Sequence, residues 1–345
     1  MVNVAIAGGT GELAREVIDA LVASPIKHSI LILTRSPPTP TTNPHNLPFQ
    51  QVNYSDLATL TRILANAEIH TVLSFIQPLH DPDNVSQKTL IDACIQAGVT
   101  RFAPSEYGGI TSPGPDASSS SSSSSSLLPG WSQKHLVATY LSAAAADSTL
   151  QHTIFRPSLL LNYLASPRRT SPRRTSPHLT PLQTPFVCLR SRRAVRIEDR
   201  DPYVTFTSVR DLARVVARAV SQPGAWPAVS GIRGERVRLS ELIAICERVR
   251  ECKFNVETVK VEDLERGILT SSWGLEISHP SVSSEHAEAV KAMLKQVTIG
   301  ILLESVKGSW DVSDEWNRIL EPEGFKFTGI EEFLKSVSWD EETKV

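Results

Sequence analysis

An apolar run leads directly into a glycine-rich turn near the start of the chain, Val2-Asn3-Val4-Ala5-Ile6-Ala7-Gly8-Gly9-Thr10-Gly11-Glu12-Leu13-Ala14. Apolar residues then recur at spacings of four, in Leu13, Val17 and Leu21, which is the periodicity of a helix. The pattern predicts a strand, a tight turn and a helix. This is the context that a dinucleotide-binding loop requires.

Each small residue of this turn has a physical role in such a loop. Gly8 allows the tight turn, Gly11 lets the backbone approach a pyrophosphate, and Ala14 keeps the helix close to the sheet. The helix N-terminus then offers free N–H groups to the phosphates. An ordinary strand–helix turn can also carry these glycines. The pattern of strands and helices in the rest of the chain distinguishes between a dinucleotide-binding loop and an ordinary turn.

Strand and helix patterns alternate through the first half of the chain. Strands are predicted over residues 30–33, 50–52, 70–76, 100–103 and 152–155, and helices over 57–67, 86–97 and 132–146. This alternation is typical of a parallel sheet covered on both faces. We therefore predict an α/β fold, a Rossmann-type doubly wound parallel sheet, and the dinucleotide reading of the glycine turn is favoured.

The end of the second predicted strand indicates which dinucleotide is bound. An NAD enzyme usually has an acidic residue there, whereas this chain has Thr34-Arg35-Ser36. The Arg35 guanidinium can pair with the 2′-phosphate of NADP(H), or it is a solvated surface arginine. Asp56, after the third strand, either reaches the adenine amino group or caps the helix that follows. The predicted cofactor is NADP(H).

Lys134 is the candidate proton donor for hydride chemistry. None of the five tyrosines is followed by a lysine four residues later, which excludes the usual Tyr-x-x-x-Lys pair. Lys134 begins the helix after the fifth strand, beside the expected nicotinamide half of the cofactor. Its ammonium can hydrogen-bond the nicotinamide ribose or donate a proton. Alternatively, it is a solvated residue of a first helical turn.

Beyond residue 157 the pattern is less regular. Residues 1–157 are predicted to form the NADP(H)-binding Rossmann domain, and residues 158–345 a mixed region that includes a smaller C-terminal substrate lobe and returning Rossmann elements. Helices are predicted over 209–220, 237–249, 284–294 and 330–337, and a strand over 254–261. Two low-complexity insertions interrupt the chain: a serine-rich one over 117–128, expected to be disordered, and a basic Arg-Arg-Thr-Ser-Pro repeat over 166–178.

The composition limits the possible partners. The net charge is −2, with 41% hydrophobic and 21% charged residues. This composition favours neither binding to nucleic acid nor binding to a membrane surface. No metal site is expected, because the four cysteines (Cys94, Cys188, Cys246 and Cys252) show no paired spacing. No signal peptide or long apolar segment is evident, so we expect a cytoplasmic protein. A small-molecule substrate is predicted, and the protein is a monomer or a homodimer.

Several of these segments together resemble a known family. They are the glycine loop, Arg35, the stretch Arg101-Phe102-Ala103-Pro104-Ser105-Glu106-Tyr107-Gly108, Lys134, and Arg156-Pro157. The chain resembles the NmrA-like branch of atypical short-chain dehydrogenases/reductases, in particular isoflavone reductase and phenylcoumaran benzylic ether reductase enzymes. The resemblance spans roughly residues 2–220.

The resemblance implies roles for individual residues. Those implied to hold the pyrophosphate are Gly8, Thr10, Gly11, Glu12 and Leu13. Arg35 would bind the 2′-phosphate, and those implied to line the nicotinamide ribose side are Ser74, Phe75 and Ile76. Lys134 matches the catalytic lysine, which also helps to hold the ribose. Tyr107 stands where phenylalanine is common, and it is either a second acid or a buried packing residue.

The expected function is that of an NADPH-dependent reductase in secondary metabolism. Its acceptor would be a small aromatic or polyketide-like carbonyl, enone or quinone methide. Two alternatives stay open at this point: an NmrA-type NAD(P)-sensing regulatory protein without turnover, and a non-redox isomerase or cyclase on the same fold.

Overall fold

The structure is a computed structural model that describes residues 1–110, 128, 130–165, 176–180, 182–276 and 287–337. The predictions for the serine-rich insertion and for most of the basic repeat fall outside these residues. So does the predicted start, at 284, of the helix over 284–294.

The central element is a six-stranded parallel sheet with strand order β3-β2-β1-β4-β5-β6. Its strands are β1 (Asn3–Ala7), β2 (Ser29–Thr34), β3 (Phe49–Gln51), β4 (Thr71–Ser74), β5 (Arg101–Ala103) and β6 (Gln151–His152). The register pairs Ala7 with both Leu33 and Ser74, so neighbouring strands end at one level. The strand order reverses beside β1, which is where ligands bind in such sheets.

Helices cover both faces of the sheet. The first four are α1 (Glu12–Ala23), α2 (Leu57–Asn66), α3 (Val85–Gln96) and α4 (Trp131–Ala146). One face buries Leu60, Leu90 and Val137, from α2, α3 and α4 in that order. Asp56 caps α2 by accepting a hydrogen bond from the Thr59 N–H at 3.0 Å, which is the capping role considered above.

The second half supplies the remaining elements. Its strands are β7 (Ile154–Arg156), β8 (Leu159–Leu160), β9 (Val187–Cys188), β10 (Arg193–Ile197), β11 (Tyr203–Thr207), β12 (Val229–Gly231), β13 (Glu235–Arg238) and β14 (Asn255–Val259). Its helices are α5 (Val209–Ser221), α6 (Leu239–Arg250), α7 (Val261–Glu265), α8 (Ala287–Val306), α9 (Glu315–Leu320) and α10 (Ile330–Ser336). Several boundaries differ from prediction. The helix predicted from 237 begins at Leu239 because β13 pairs with β11, and α8 runs on to Val306. The strands predicted over 70–76 and 254–261 are shorter, and α7 begins at Val261.

Part of this second half packs beside the six-stranded sheet, where β7 and β12 form a separate two-stranded sheet. The single strand predicted over 152–155 is in fact β6 followed by β7, because Thr153 separates them and its hydroxyl bonds to that of Ser230 at 2.5 Å. β7 pairs with β12 instead of β5. α5 packs against α1 and buries Leu212 and Val216 beside Val17, on the face opposite α2 and α3. The sheet is therefore doubly wound, as predicted.

A separate hydrophobic core defines the smaller mixed lobe. It contains buried residues from strands β8–β11, β13 and β14, from helices α6, α8 and α10, and from the segments beside them, such as Phe186, Phe206, Leu242, Ile299 and Leu334. The Rossmann-type fold with a smaller mixed lobe is confirmed. The division at residue 157 stays a prediction. Within the described part of the chain, no helix is long and apolar enough to span a bilayer.

Candidate functional site

The glycine turn after β1 has the tight geometry that its sequence predicts. Gly8 adopts φ +70°, a conformation that disfavours side chains, and a Cβ there would lie 2.9 Å from the Phe75 carbonyl oxygen. The Gly8 N–H donates to the Leu33 carbonyl at 3.0 Å, and the Gly11 N–H donates to the Gly8 carbonyl at 3.0 Å. Gly11 begins α1 without a side-chain cap, so backbone N–H groups of the first turn remain available. These are the features of an anion cradle.

Tyr54 braces this turn from beneath, a role that the sequence did not indicate. Its buried hydroxyl accepts a hydrogen bond from the Gly8 N–H at 2.9 Å and donates one to the Leu33 carbonyl at 2.9 Å. Burial raises the pKa of Tyr54 well above its usual value, so the hydroxyl stays protonated and can keep donating. The brace joins the ends of β1 and β2.

Glu12 turns its carboxylate away from any role as a phosphate ligand. The carboxylate accepts hydrogen bonds from the Thr180 N–H at 2.8 Å and the Thr180 hydroxyl at 2.6 Å. An anionic side chain would also repel a pyrophosphate. The predicted contribution of Glu12 would therefore come from its backbone N–H. Leu13, whose side chain is apolar, follows it in the first turn of α1. Thr10 lies within the turn, between Gly9 and Gly11.

Residues 176–180, here called the strap, lie along α1. Glu16 accepts hydrogen bonds from the N–H groups of His178 at 2.9 Å and Leu179 at 3.2 Å. Asp19 bonds to His178 at 2.8 Å and also to His45, in the segment after β2, at 2.7 Å. Two distant segments therefore meet on the acidic stripe of α1 beside the glycine turn.

Arg35 lies at the surface, one residue past β2. Its backbone carbonyl accepts a hydrogen bond from the Gln51 side chain at 3.0 Å. Its charge lowers the pKa of Tyr54, opposing the larger effect of burial, which places the guanidinium near the turn. Among the residues that the structure describes, the Arg35 guanidinium forms no ion pair, so this exposed cation can meet a phosphate without breaking one.

The end of β4 presents an aromatic stack to the same edge of the sheet. Phe75 and Tyr107 are parallel with ring centroids 4.7 Å apart, and Tyr107 faces Phe155 at 6.1 Å. Ser74 is buried and donates its hydroxyl to Gln87 at 2.8 Å, and Ile76 follows Phe75 in the segment that leaves the strand.

Tyr107 has the surroundings of a packing residue. Burial raises its pKa strongly, so its hydroxyl is a poor acid. That hydroxyl is buried and has no hydrogen-bond partner among the residues that the structure describes. The role of Tyr107 as a second acid stays a prediction, and its environment disfavours it.

Lys134 lies in the first turn of α4 with its side chain partly buried. Its ammonium lies over Gly108, where an added Cβ would be 3.5 Å from Nζ. Burial lowers the pKa of Lys134, and the charge of Glu106 opposes that shift. Lys134 is thus a desolvated ammonium at the sheet edge rather than a freely solvated one.

Glu106 and Arg156 are the charged residues to which sequence reasoning gave no role. Both are buried, at 1% and 9% exposure, and the charge of Glu106 acts on Lys134 as well as on Arg156. Both residues lie in segments that carry the family resemblance, so the sequence could have indicated them.

A cavity of about 670 Å³ lies elsewhere, between α1 and α5, and no predicted site residue lines it. No metal-binding cluster occurs in the described ranges.

Comparisons with known proteins agree with this geometry. The sequence model of the NmrA-like family matches residues 2–334. The chain is 28% identical over 346 residues to Oxidoreductase swnN of Metarhizium robertsii, covering 97% of each protein. It is 30% identical over 257 residues to Oxidoreductase BOA1 of Botryotinia fuckeliana, covering 72% of this chain and 76% of that protein.

A solved structure, AtPrR2 with NADP+ and (+)pinoresinol, has a TM-score of 0.67 at 18% identity, over 97% of this chain and 98% of that one. At this identity the likeness is one of fold. The family match extends beyond residue 220, where the resemblance seen in the sequence ended, and it includes most of the smaller lobe. The chain belongs to the NmrA-like family.

Proposed function

We propose that this chain is an NADPH-dependent reductase that transfers hydride to a small organic acceptor. The observation that carries the proposal is the desolvated ammonium of Lys134, which lies over Gly108 at the same sheet edge as the glycine turn. The two curated relatives are both named oxidoreductases, and the fold neighbour AtPrR2 was solved with NADP+. These names support the cofactor and the reaction class.

The residues present fit NADP(H). A Cβ at Gly8 or at Gly9 would meet neighbouring atoms at 2.9 and 3.0 Å, so the turn is as tight as a pyrophosphate cradle requires. Backbone N–H groups of Thr10 and Glu12 would face the phosphates, and Arg35 would pair with the 2′-phosphate. Gly11, whose N–H already bonds to the Gly8 carbonyl, would let the backbone approach the pyrophosphate.

The other implied cofactor contacts belong to the same proposal. Leu13 would cover the phosphates from α1, and Phe75 and Ile76 would line the nicotinamide ribose side. Ser74 would act there by fixing the end of β4, because its hydroxyl is held by Gln87. Lys134 would bond the nicotinamide ribose.

Lys134 would also supply the proton. When bound, NADPH provides the hydride that adds to the electrophilic carbon of the acceptor. Negative charge then develops on the conjugated oxygen, and the Lys134 ammonium faces it as a hydrogen-bond donor and transfers one proton to it. Because burial lowers the pKa of Lys134, this proton is lost more readily than from a solvated lysine.

The acceptor is proposed to be a small aromatic or polyketide-like carbonyl, enone or quinone methide. The partly buried Tyr107, whose ring stacks on that of Phe75, would give an aromatic acceptor an apolar neighbour at Lys134's edge of the sheet. A role in secondary metabolism is part of the proposal and rests on the family resemblance. Membership of the fold does not by itself decide the reaction.

A binding titration tests the cofactor. Purified protein is titrated with NADPH, NADP+, NADH and NAD+, followed by nucleotide fluorescence or by heat. A charge-assisted pair of about 1.5–3 kcal/mol predicts that NADPH binds roughly ten- to hundredfold more tightly than NADH. Arg35→Ala should abolish this preference, and Arg210→Ala, at an exposed arginine of α5, should keep it.

The other outcomes separate the alternatives. Similar affinities for NAD+ and NADP+, with weak binding of both reduced forms, would favour the sensing regulator. A non-redox role would be favoured if the protein binds NADPH but turns over no aromatic carbonyl or enone, and if Lys134→Ala leaves NADPH binding unchanged. If none of the four nucleotides binds, the proposal is wrong.

A further inference from the structure

Glu106 is a buried acid beside the proposed catalytic lysine. Only 1% of the residue is exposed, and it lies in the segment of residues 104–110 that follows β5. A single point, the Cβ position of Gly108, lies 3.5 Å from the Lys134 Nζ and 3.7 Å from the Glu106 carbonyl oxygen. The backbone of Glu106 and the Lys134 ammonium therefore lie in one small region of the molecule.

The backbone that carries Glu106 is fastened on several sides. The Glu106 N–H donates to the Pro104 carbonyl at 2.8 Å, the Ser158 N–H donates to the Gly108 carbonyl at 3.1 Å, and the Ile110 N–H donates to the Ser309 carbonyl at 2.8 Å. The first bond lies within the segment, and the other two come from the residues that follow β7 and α8. The backbone of the segment is therefore held in place on two sides.

Two cations and a second acid lie in the electrostatic surroundings of Glu106. Glu106 interacts electrostatically with Lys134, on α4, and with Arg156, at the end of β7. Arg156 also interacts with Glu315, whose carboxylate accepts hydrogen bonds from the Gly231 N–H at 2.8 Å and the Ser313 hydroxyl at 2.6 Å. Buried charges are tolerated when they are paired, and breaking such a set leaves a charge uncompensated.

We infer that Glu106 is a positioning residue that keeps the Lys134 ammonium charged and directed over Gly108, with Arg156 as the second cation that holds the carboxylate in place. The inference deepens the proposed reductase function and rests on it for its catalytic meaning. Glu106 itself touches neither substrate nor cofactor in this scheme.

The direction of the pKa of Lys134 supports this assignment. Desolvation is the larger effect and lowers that pKa, and the charge of Glu106 raises it. Glu106 therefore sets how far the ammonium can be desolvated before it loses its proton at neutral pH. The neighbouring Tyr107 stays protonated because burial raises its pKa, so it adds no charge to the set.

Competitive acylation of the apo protein tests the inference without any turnover. A limiting amount of acetic anhydride is applied between pH 6 and 10, and the modification of Lys134 is followed by peptide mass spectrometry, with exposed Lys295 as internal reference. Only the neutral amine reacts. In Glu106→Gln, Lys134 should react about tenfold faster near pH 7, the effect expected for loss of one nearby opposite charge. Glu315→Gln removes an acid whose charge acts on Arg156 and Arg318, and it should leave the reactivity of Lys134 unchanged.

The pH profile of NADPH-dependent turnover gives the second readout. In Glu106→Gln its alkaline limb should move to lower pH, while NADPH affinity stays within about threefold. Glu106→Asp keeps the charge at a greater distance and should give intermediate values in both measurements. If Glu106→Gln does not fold, Glu106→Asp alone must shift both in the same direction, or the inference is overturned.

The outcomes separate this inference from the proposed function. Faster acylation in Glu106→Gln, in a protein whose wild type oxidises no NADPH, supports the positioning role and refutes the reductase. Wild-type turnover combined with unchanged Lys134 reactivity in Glu106→Gln refutes the positioning role and leaves the reductase standing.

Discussion

Replacing Tyr54 by phenylalanine removes one oxygen atom from beneath the glycine turn. That hydroxyl makes two hydrogen bonds of 2.9 Å, to the Gly8 N–H and the Leu33 carbonyl, at a residue that is 4% exposed. At about 0.5–1.5 kcal/mol for each, the free energy of unfolding should fall by about 1–3 kcal/mol. The turn keeps the direct Gly8 N–H to Leu33 carbonyl bond of 3.0 Å, so NADPH affinity should fall less than tenfold.

Urea unfolding at several protein concentrations and NADPH titration of both proteins provide the assay. Tyr140→Phe is the matched control, because the Tyr140 hydroxyl bonds to Asp92 at 2.7 Å between α3 and α4, away from the turn. It should cost less than about 1 kcal/mol, since the pair is partly exposed. Unchanged stability in Tyr54→Phe would refute the bracing role. A loss of NADPH affinity above a hundredfold at unchanged stability would show instead that the hydroxyl contacts the cofactor.

Two further predictions concern the same edge of the sheet. Gly109→Ala would put a Cβ 2.5 Å from the Ser309 carbonyl oxygen and 2.8 Å from the Trp310 ring. It should therefore lower the free energy of unfolding, measured in urea, by about 2 kcal/mol or more. Gly108→Ala is the control, because its added Cβ makes only ordinary contacts. Burial lowers the pKa of Lys134 in the folded protein, so between that pKa and the ordinary value of 10.5 the unfolded chain binds more protons than the folded one. The free energy of unfolding of the wild type, relative to that of Lys134→Met, should therefore rise with pH up to that value. The free energy of unfolding of both proteins is measured at pH 8, 9 and 10, and a difference between them that stays flat or falls would contradict this prediction.

Local patterns were sufficient to predict the first half of the fold. The apolar run before Gly8, the helical spacing of Leu13, Val17 and Leu21, and the cap at Asp56 each depend on a few neighbouring residues, and each was found where expected. The pairing of β7 with β12 was not predicted, because it joins residues some 75 positions apart and both strands have only three residues.

The candidate site was predictable in its residue types but not in its support. Arg35 and Lys134 follow from their places after a strand and in a helix. The brace by Tyr54 depends on the register of β1 against β2, which no local pattern reveals. The bonds between Glu12 and Thr180 join residues 168 positions apart, so the sequence could not show that this carboxylate was already engaged.

The packing of α1 against α5 also bears on how the polypeptide is synthesised. The apolar face of α1, with Val17 and Leu21, is buried by Leu212 and Val216. Those partners leave the ribosome roughly 190 residues later, which at about 5–20 residues per second is a delay of some 10–40 s. During that interval one face of the nascent sheet is open to water and to other chains. We expect the nascent chain to be most prone to aggregation in this interval, which closes only once α5 has emerged.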